Sequence, residues 1–179
     1  MTPGAKIRMA TVWLDGCSGC HMSLLDIDAG ILALAEQADI VYGPLVDAQE
    51  FPEDVDITLV EGAVSSQDDL SKIQKIRGRT RVLVALGDCA VTGNVPAMRN
   101  SIPVSRLLQR IYGEGPTGKL TMPTDGVPQL LPQSCPLHDY VHVDLHVPGC
   151  PPSAQAILAA VQDVLAGRQP DFGSKVKFG

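Results

Sequence analysis

Five cysteines hold most of the chemistry this chain could perform. Cys17 and Cys20 stand in WLDGCSGCHMSLLD, two residues apart and each preceded by a glycine. Cys89 stands in LGDCAVTGNVP, Cys135 in QSCPLHD and Cys150 in HVPGCPPSA. The count is odd, and a reducing compartment keeps thiols free, so a disulfide framework is not expected. Zinc accepts four thiolates, but structural zinc sites generally use paired short knuckles, and only one C-x2-C occurs here. A catalytic dithiol of the thioredoxin kind accounts for Cys17 and Cys20 but leaves Cys89 and Cys150 idle. A cubane 4Fe–4S cluster needs four thiolates spread around a larger object, and its ligands often precede proline, as Cys150 precedes Pro151. The pattern favours the cluster, with zinc second.

The elements that would position these residues alternate along the chain. Short β-branched runs predict strands at 7–14, 39–45, 56–61, 81–86 and 142–147. Helical spacing appears at 23–38, 66–77, 104–112 and 151–166. The second of these opens on the capping-box pattern Ser66-x-x-Asp69, and the last opens on prolines suited to a first turn. Such an order predicts an α/β fold: a parallel sheet with helices on both faces and right-handed crossovers. In that fold the carboxyl ends of the strands form one rim, where ligands bind. Cys17 and Cys20 follow the first strand, Cys89 the fourth and Cys150 the fifth, so four cysteines distant in sequence meet there. Gly16, Gly19, Gly87 and Gly149 let the backbone turn close to a bulky group. Helix N-termini expected after Cys20 and Cys150 would favour thiolates and an anionic cluster. Cys135 also precedes a proline and could displace Cys150 in the ligand set, but it lies before the last strand, at the wrong end for the rim, and reads as a small apolar core or loop residue.

Composition bounds the remainder. A length of 179 residues supplies one core, which makes 1–179 a single domain. The net charge of −6 and the lack of any basic stripe give no nucleic-acid surface. No apolar run is long enough for a membrane span, and the first residues show neither a signal peptide nor a twin arginine. The expected location is cytoplasmic. Residues 113–136 form a long Pro/Gly-rich insertion, read as an ordered loop facing a partner. On the last strand His142 and His146 share a face with Asp144 between them. That alternation suits an edge strand with a solvated or interface face better than a metal site.

The segments LDGCSGCHMSLLD, VEGAV, GDCAVTGNVPAMRN and VPGCPPSA resemble the small subunit of nickel–iron hydrogenases. The short form in cytoplasmic NAD-reducing (bidirectional) hydrogenases is the particular likeness, over almost the whole chain. The resemblance implies a flavodoxin-like fold and one proximal 4Fe–4S cluster on Cys17, Cys20, Cys89 and Cys150. It implies as partners a nickel–iron large subunit, where hydrogen is split, and iron–sulfur/flavin diaphorase subunits that pass electrons to NAD+. The cluster-bearing subunit of proton-pumping NADH dehydrogenase is a related family, but it typically has adjacent cysteines in its first motif. The chain ends in DFGSKVKFG without further cysteines, so one cluster is expected. Glu61 should reach the rim, to tune the cluster, to carry protons or to cap a helix. His21 would donate to a cluster sulfur, contact the large subunit or pack at that interface. Trp13 and Met22 would fill core or interface, and Arg99 and Asn100 would bind the partner or cap a helix. No catalytic acid, base or nucleophile is apparent, so the isolated chain is not expected to oxidise hydrogen. A flavodoxin-like flavin carrier is the reading from another class. The turn after the first strand lacks the Ser/Thr-rich phosphate loop it would need, and a flavin beside the cluster has no support in the sequence.

Overall fold

The computed structural model describes residues 6–114, 124–168 and 170. Strands β1 (Ile7–Trp13), β2 (Ala38–Tyr42), β3 (Val55–Glu61), β5 (Thr80–Leu86) and β7 (Leu145–Val147) form one sheet in the order β2-β1-β3-β5-β7. Every pairing in it is parallel. The central strands are buried on both faces, which is why they read as near-continuous apolar runs. Alternate residues feed two cores. Ala10, Val12, Val60, Leu83 and Ala85 pack with Ile73 and Ile76 of helix α3 (Gln67–Arg79). Met9, Ile57, Leu59, Val84 and Leu86 pack on the other face. Their partners are Leu24 of α1 (Gly19–Leu25), Leu34 of α2 (Gly30–Gln37) and Ile157 and Val161 of α7 (Ala154–Leu165). This is the expected α/β architecture, with helices on both faces of an open parallel sheet.

The capping box forms as its spacing predicts. The Ser66 hydroxyl accepts from Asp69 N–H at 3.1 Å, and the Asp69 carboxylate accepts from Ser66 N–H at 3.0 Å. Elsewhere local structure departs from expectation. The helix expected over 23–38 is two helices, and the first begins earlier, at Gly19. Asp28 takes φ 54°, which a right-handed helix cannot continue through. Cys20 therefore lies inside the first turn of α1, not ahead of it. In the last helix, Pro151 and Pro152 precede the cap Ser153, whose hydroxyl accepts from Ala156 N–H at 3.2 Å.

A small second sheet was not expected. Strand β4 (Val64–Ser66) pairs antiparallel with β6 (Leu130–Cys135). The end of the Pro/Gly-rich stretch is thus tied to the body of the fold, while its residues 115–123 lie outside the described ones. Short helices α4 (Asp88–Thr92) and α5 (Asn94–Ala97) follow β5. Helix α6 (Val104–Leu108) then runs into a wider π-type turn at Gln109–Gly113.

The last strand is also shorter than the expected 142–147. The Asp144 carboxylate accepts from Leu83 N–H at 2.7 Å and from Arg77 at 2.5 Å, and Asp144 N–H donates to Leu83 O at 3.0 Å. A side chain thus takes the place of a ladder pair. Val143 turns into the α3 core while Leu145 and Val147 face the other, so strand alternation breaks at Asp144. Burial alone would raise the Asp144 carboxyl, but the Leu83 amide and the Arg77 guanidinium outweigh it and hold it below its ordinary value. The folded state then binds this proton less readily than the unfolded chain, so the contribution is complete above the ordinary carboxylate range. It is lost as pH falls through the depressed folded value. Asp144→Asn should cost about 1–2 kcal/mol at neutral pH, read as a lower urea midpoint, and the gap to wild type should close on acidification.

Candidate metal centre

Three turns at the carboxyl ends of β1, β5 and β7 carry four of the cysteines. Cys17 lies between β1 and α1, Cys20 in the first turn of α1, Cys89 in α4, and Cys150 just after β7. Cys20 is buried, Cys89 half-buried, and Cys17 and Cys150 are exposed. The turns are fastened to each other by named bonds. Leu14 N–H donates to Glu61 O at 2.9 Å, and Asp15 and Ala63 exchange a pair of bonds at 3.1 and 2.7 Å. Asp88 N–H donates to Gly149 O at 2.9 Å, and the buried Asp88 carboxylate accepts from Gly149 N–H at 2.7 Å. Ser23 Oγ donates to Pro152 O at 2.5 Å, joining α1 to the Cys150 turn.

Two glycines make the close approach feasible. Gly87 has φ +82°, and a Cβ there would occupy the space of Cys20 Sγ. Gly149 has φ +134°, and a Cβ would lie 2.6 Å from Pro152 Cα. The thiols feel one another across the rim. Burial first, then Glu61, Cys89, Cys17 and Cys150 push the Cys20 thiol well above its usual value. Burial likewise raises Cys89, joined by Cys150, Cys17 and Glu61, while a hydrogen bond with the Val95 backbone acts in the opposite sense. Four thiolates cannot share this rim unless a thiophilic group of high positive charge joins them, and that is the kind of group the donor set fits. Among the described residues no three His, Cys, Asp or Glu side chains close to the spacing of a single metal ion.

Behind Cys20, His21 and Glu61 are 6% and 3% exposed. One carboxylate oxygen, Glu61 Oε2, accepts from His21 N–H at 2.9 Å and lies 2.6 Å from His21 Nδ1. Ser18, the residue at the N-cap of α1, has φ 66° and makes no side-chain cap bond. Glu61 therefore satisfies an orphan amide of α1 from a distant strand. Trp13 stands edge-on to the His21 ring at 5.3 Å, and His21 Nε2 is buried without a partner among the described residues.

Other residues singled out from the sequence lie elsewhere. Cys135 pairs with Val64 across the small sheet, and the Tyr140 hydroxyl is raised first by burial and then by this thiol. Arg99 donates to the carbonyls of Ser65 and Leu131 at 3.1 Å, and Asn100 exchanges two 2.8 Å bonds with Ser134. Both residues brace the small sheet. His142 is exposed and 3.4 Å from Asp144, whereas His146 stacks edge-on with His138 at 5.8 Å. These histidines form no ligand set with each other among the described residues. Met22 is exposed beside Cys20. Asp88 and Ser23, which fasten the turns, were missed: a lone acidic residue before a cysteine and a serine inside a helix give no periodic signal.

A sheet whose carboxyl rim gathers four cysteines defines a class of α/β subunits. The family model for the NADH ubiquinone oxidoreductase 20 Kd subunit matches residues 17–164, and the chain belongs to this family. Its relatives are hydrogenase subunits. The chain is 35% identical over 176 residues to the NAD-reducing hydrogenase HoxS subunit delta of Cupriavidus necator, covering 96% of this chain and 84% of that one. It is 34% identical over 172 residues to a vhu subunit of the F420-non-reducing hydrogenase of Methanocaldococcus jannaschii, covering 95% of this chain and spanning 60% of that longer relative. A chain in the crystal structure of an NAD+-reducing NiFe-hydrogenase in the H2-reduced state superposes with a TM-score of 0.93 at 40% identity, over 98% of this chain and 100% of that one.

Proposed function

We propose that this chain is the electron-transfer subunit of a cytoplasmic NAD-reducing nickel–iron hydrogenase, a single domain holding one proximal 4Fe–4S cluster on Cys17, Cys20, Cys89 and Cys150. The observation that carries this reading is the meeting of four cysteines, from turns at the ends of three strands, at one glycine-floored rim. The full-length likeness to a chain of an NAD+-reducing hydrogenase supports the choice of complex. The lack of a single-ion spacing among these donors agrees with a multi-iron group better than with zinc. When bound, such a cluster supplies reversible one-electron capacity. The chain's own residues do the remainder. Gly87 and Gly149 let the backbone close around the thiols, Asp88 and Ser23 lock the turns, and the packed core around Cys20 excludes water from that side. Trp13, Met22 and Leu25 are exposed on β1 and α1, close in sequence to Cys17 and Cys20, and offer apolar surface for a nickel–iron large subunit to cover. Electrons then leave toward iron–sulfur and flavin diaphorase subunits. The isolated chain performs no hydrogen chemistry in this reading. No helix of the described residues is long and apolar enough to cross a membrane.

The family description itself favours a second reading, a relay subunit of an NADH dehydrogenase-like complex. Metal analysis separates the two. The tagged chain, recovered anaerobically from its host with its partners, should carry iron, sulfide and nickel. Iron without nickel would select the second reading, and zinc without iron would overturn both.

A further inference from the structure

Two different surfaces flank the four-cysteine rim, one on each face of the sheet. Leu24 of α1 joins the core shared with α2 and α7, whereas Ala90 of α4 packs into the α3 core. Charge also distinguishes the two segments. No lysine or arginine falls between Arg8 and Lys72, a stretch that includes α1 and holds most of the chain's carboxylates. From Cys89 to Gly113 the composition reverses: Arg99, Arg106 and Arg110 stand there with no carboxylate among them. A chain of net charge −6 thus carries a local positive segment directly after one of its rim cysteines.

That segment is apolar on its outside and fixed on its inside. Val95, Met98 and Ile102 recur at three- and four-residue spacing through α5 and the 3-10 turn Met98–Ser101, and they are 60%, 75% and 40% exposed. Between them Arg99 and Asn100 bond inward to backbone carbonyls of the small sheet. A platform braced in this way has little freedom left to lose when a partner covers it. The Val95 backbone reaches the Cys89 thiol, so the patch starts at the rim. Arg106 in α6 and Arg110 in the π-type turn follow and are exposed. Arg110 is shared with Glu114 at 3.3 Å, and Arg106 makes no ion pair among the described residues.

We propose that Val95, Met98 and Ile102, with Arg106 and Arg110 beside them, are the docking surface for an acidic iron–sulfur electron-acceptor subunit, so that the electron leaves on the Cys89 side. The inference rests on the iron–sulfur relay reading. A relay needs one face for its donor and another for its acceptor, and the apolar residues Trp13, Met22 and Leu25 belong to the acidic stretch on the other side. A protein that holds an iron–sulfur centre near its surface carries the negative charge of that centre and its thiolates, and it favours a positive neighbour. Electron-transfer contacts are small, below about 1,200 Å² in total, so a compact apolar patch with arginines beside it suffices. Opposite charge steers the two surfaces together and fixes their register. In each transfer one electron passes from the reduced group on the cysteines to the partner's oxidised centre, and no bond or proton is exchanged.

The test uses the whole complex, purified anaerobically, with iron and nickel measured on every preparation. Met98→Asp and Arg106→Glu each change an exposed side chain that makes no hydrogen bond among the described residues. Both variants should keep iron, nickel and hydrogen-driven reduction of a viologen dye. Both should lose about tenfold or more in hydrogen-driven NAD+ reduction and shed the diaphorase subunits on gel filtration. Salt should loosen the wild-type attachment and partly restore that of Arg106→Glu, because it screens attraction in the first and repulsion in the second. Should Met98→Asp lose iron, Arg106→Glu decides alone. Iron-loaded variants that retain the diaphorase subunits and reduce NAD+ at the wild-type rate would overturn the proposal. Loss of nickel in place of the diaphorase subunits would also overturn it, by giving this face to the large subunit. Wild-type complex without iron or without nickel would instead overturn the hydrogenase relay reading beneath it.

Discussion

In the proposed hydrogenase complex, replacing Cys89 with serine should abolish hydrogen-driven NAD+ reduction while NADH-driven dye reduction by the diaphorase subunits continues at the wild-type rate. Cys89 sits in the second position of α4, half-buried, with its turn tied to the Cys150 turn through Asp88. Serine is nearly isosteric, so the helix and the Asp88 bonds should persist and the subunit should still assemble. What changes is the donor: a hydroxyl oxygen is harder, shorter in reach and far less acidic than a thiol. Changes in groups that merely support ligands typically cost 10–100-fold in metal affinity or activity, so loss of a ligand itself should exceed about 100-fold. Iron content measured on the same preparation should fall with the activity. Full hydrogen-driven turnover with full iron would remove Cys89 from the ligand set and bring Cys135 back into consideration.

Gly87→Ala should destabilise the subunit strongly and empty the cysteine rim of its iron. The residue has φ +82° and ψ 162°, a region essentially confined to glycine that costs an L side chain about 1–2 kcal/mol or more, and its Cβ would fall on Cys20 Sγ. Overpacking a filled site adds about 1–3 kcal/mol. The clash cannot relax toward the other wall, because Gly149 O lies 3.4 Å from the same point. Either α1 or the β5–α4 turn has to move, and each carries a cysteine. We expect a subunit destabilised by roughly 2–5 kcal/mol and purified without iron. Gly126→Ala is the matched control, since Gly126 also has positive φ, +73°, but nothing within 4 Å of a Cβ. It should share the backbone cost and keep its iron. Equal iron loss in both variants would mean that the effect is backbone strain and not the crowding of Cys20.

The rim was legible because alternation of strand and helix forces a parallel sheet, and such a sheet puts the ends of β1, β5 and β7 on one edge. Cys17, Cys20, Cys89 and Cys150 could be assigned to that edge from their position after strands alone. What escaped was set by contacts between residues far apart in sequence. The start of α1 at Gly19 has no local cap to reveal it, because its amide partner is Glu61, forty positions on from His21. Strand β6 contains a proline and alternates poorly, and it exists because Val64 and Ser66 offer it an edge. Strand β7 lost its first half to a side chain, as Asp144 reached Leu83 and Arg77. Periodicity reports which face of an element is apolar, and it carries no sign of contacts such as these three, made between residues far apart in sequence.

The position of β7 in the chain bears on biosynthesis. The strand that delivers Cys150 is the last of the five to be made and lies at the far edge, on β5. A nascent chain on the ribosome can present Cys17, Cys20 and Cys89 well before the fourth thiol exists in place. The turn holding Cys150 is fastened only when Gly149 meets Asp88 and Pro152 meets Ser23. The four-cysteine rim is consequently completed only when the last strand docks, and its outer side, at Cys17 and Cys150, stays exposed in the folded chain.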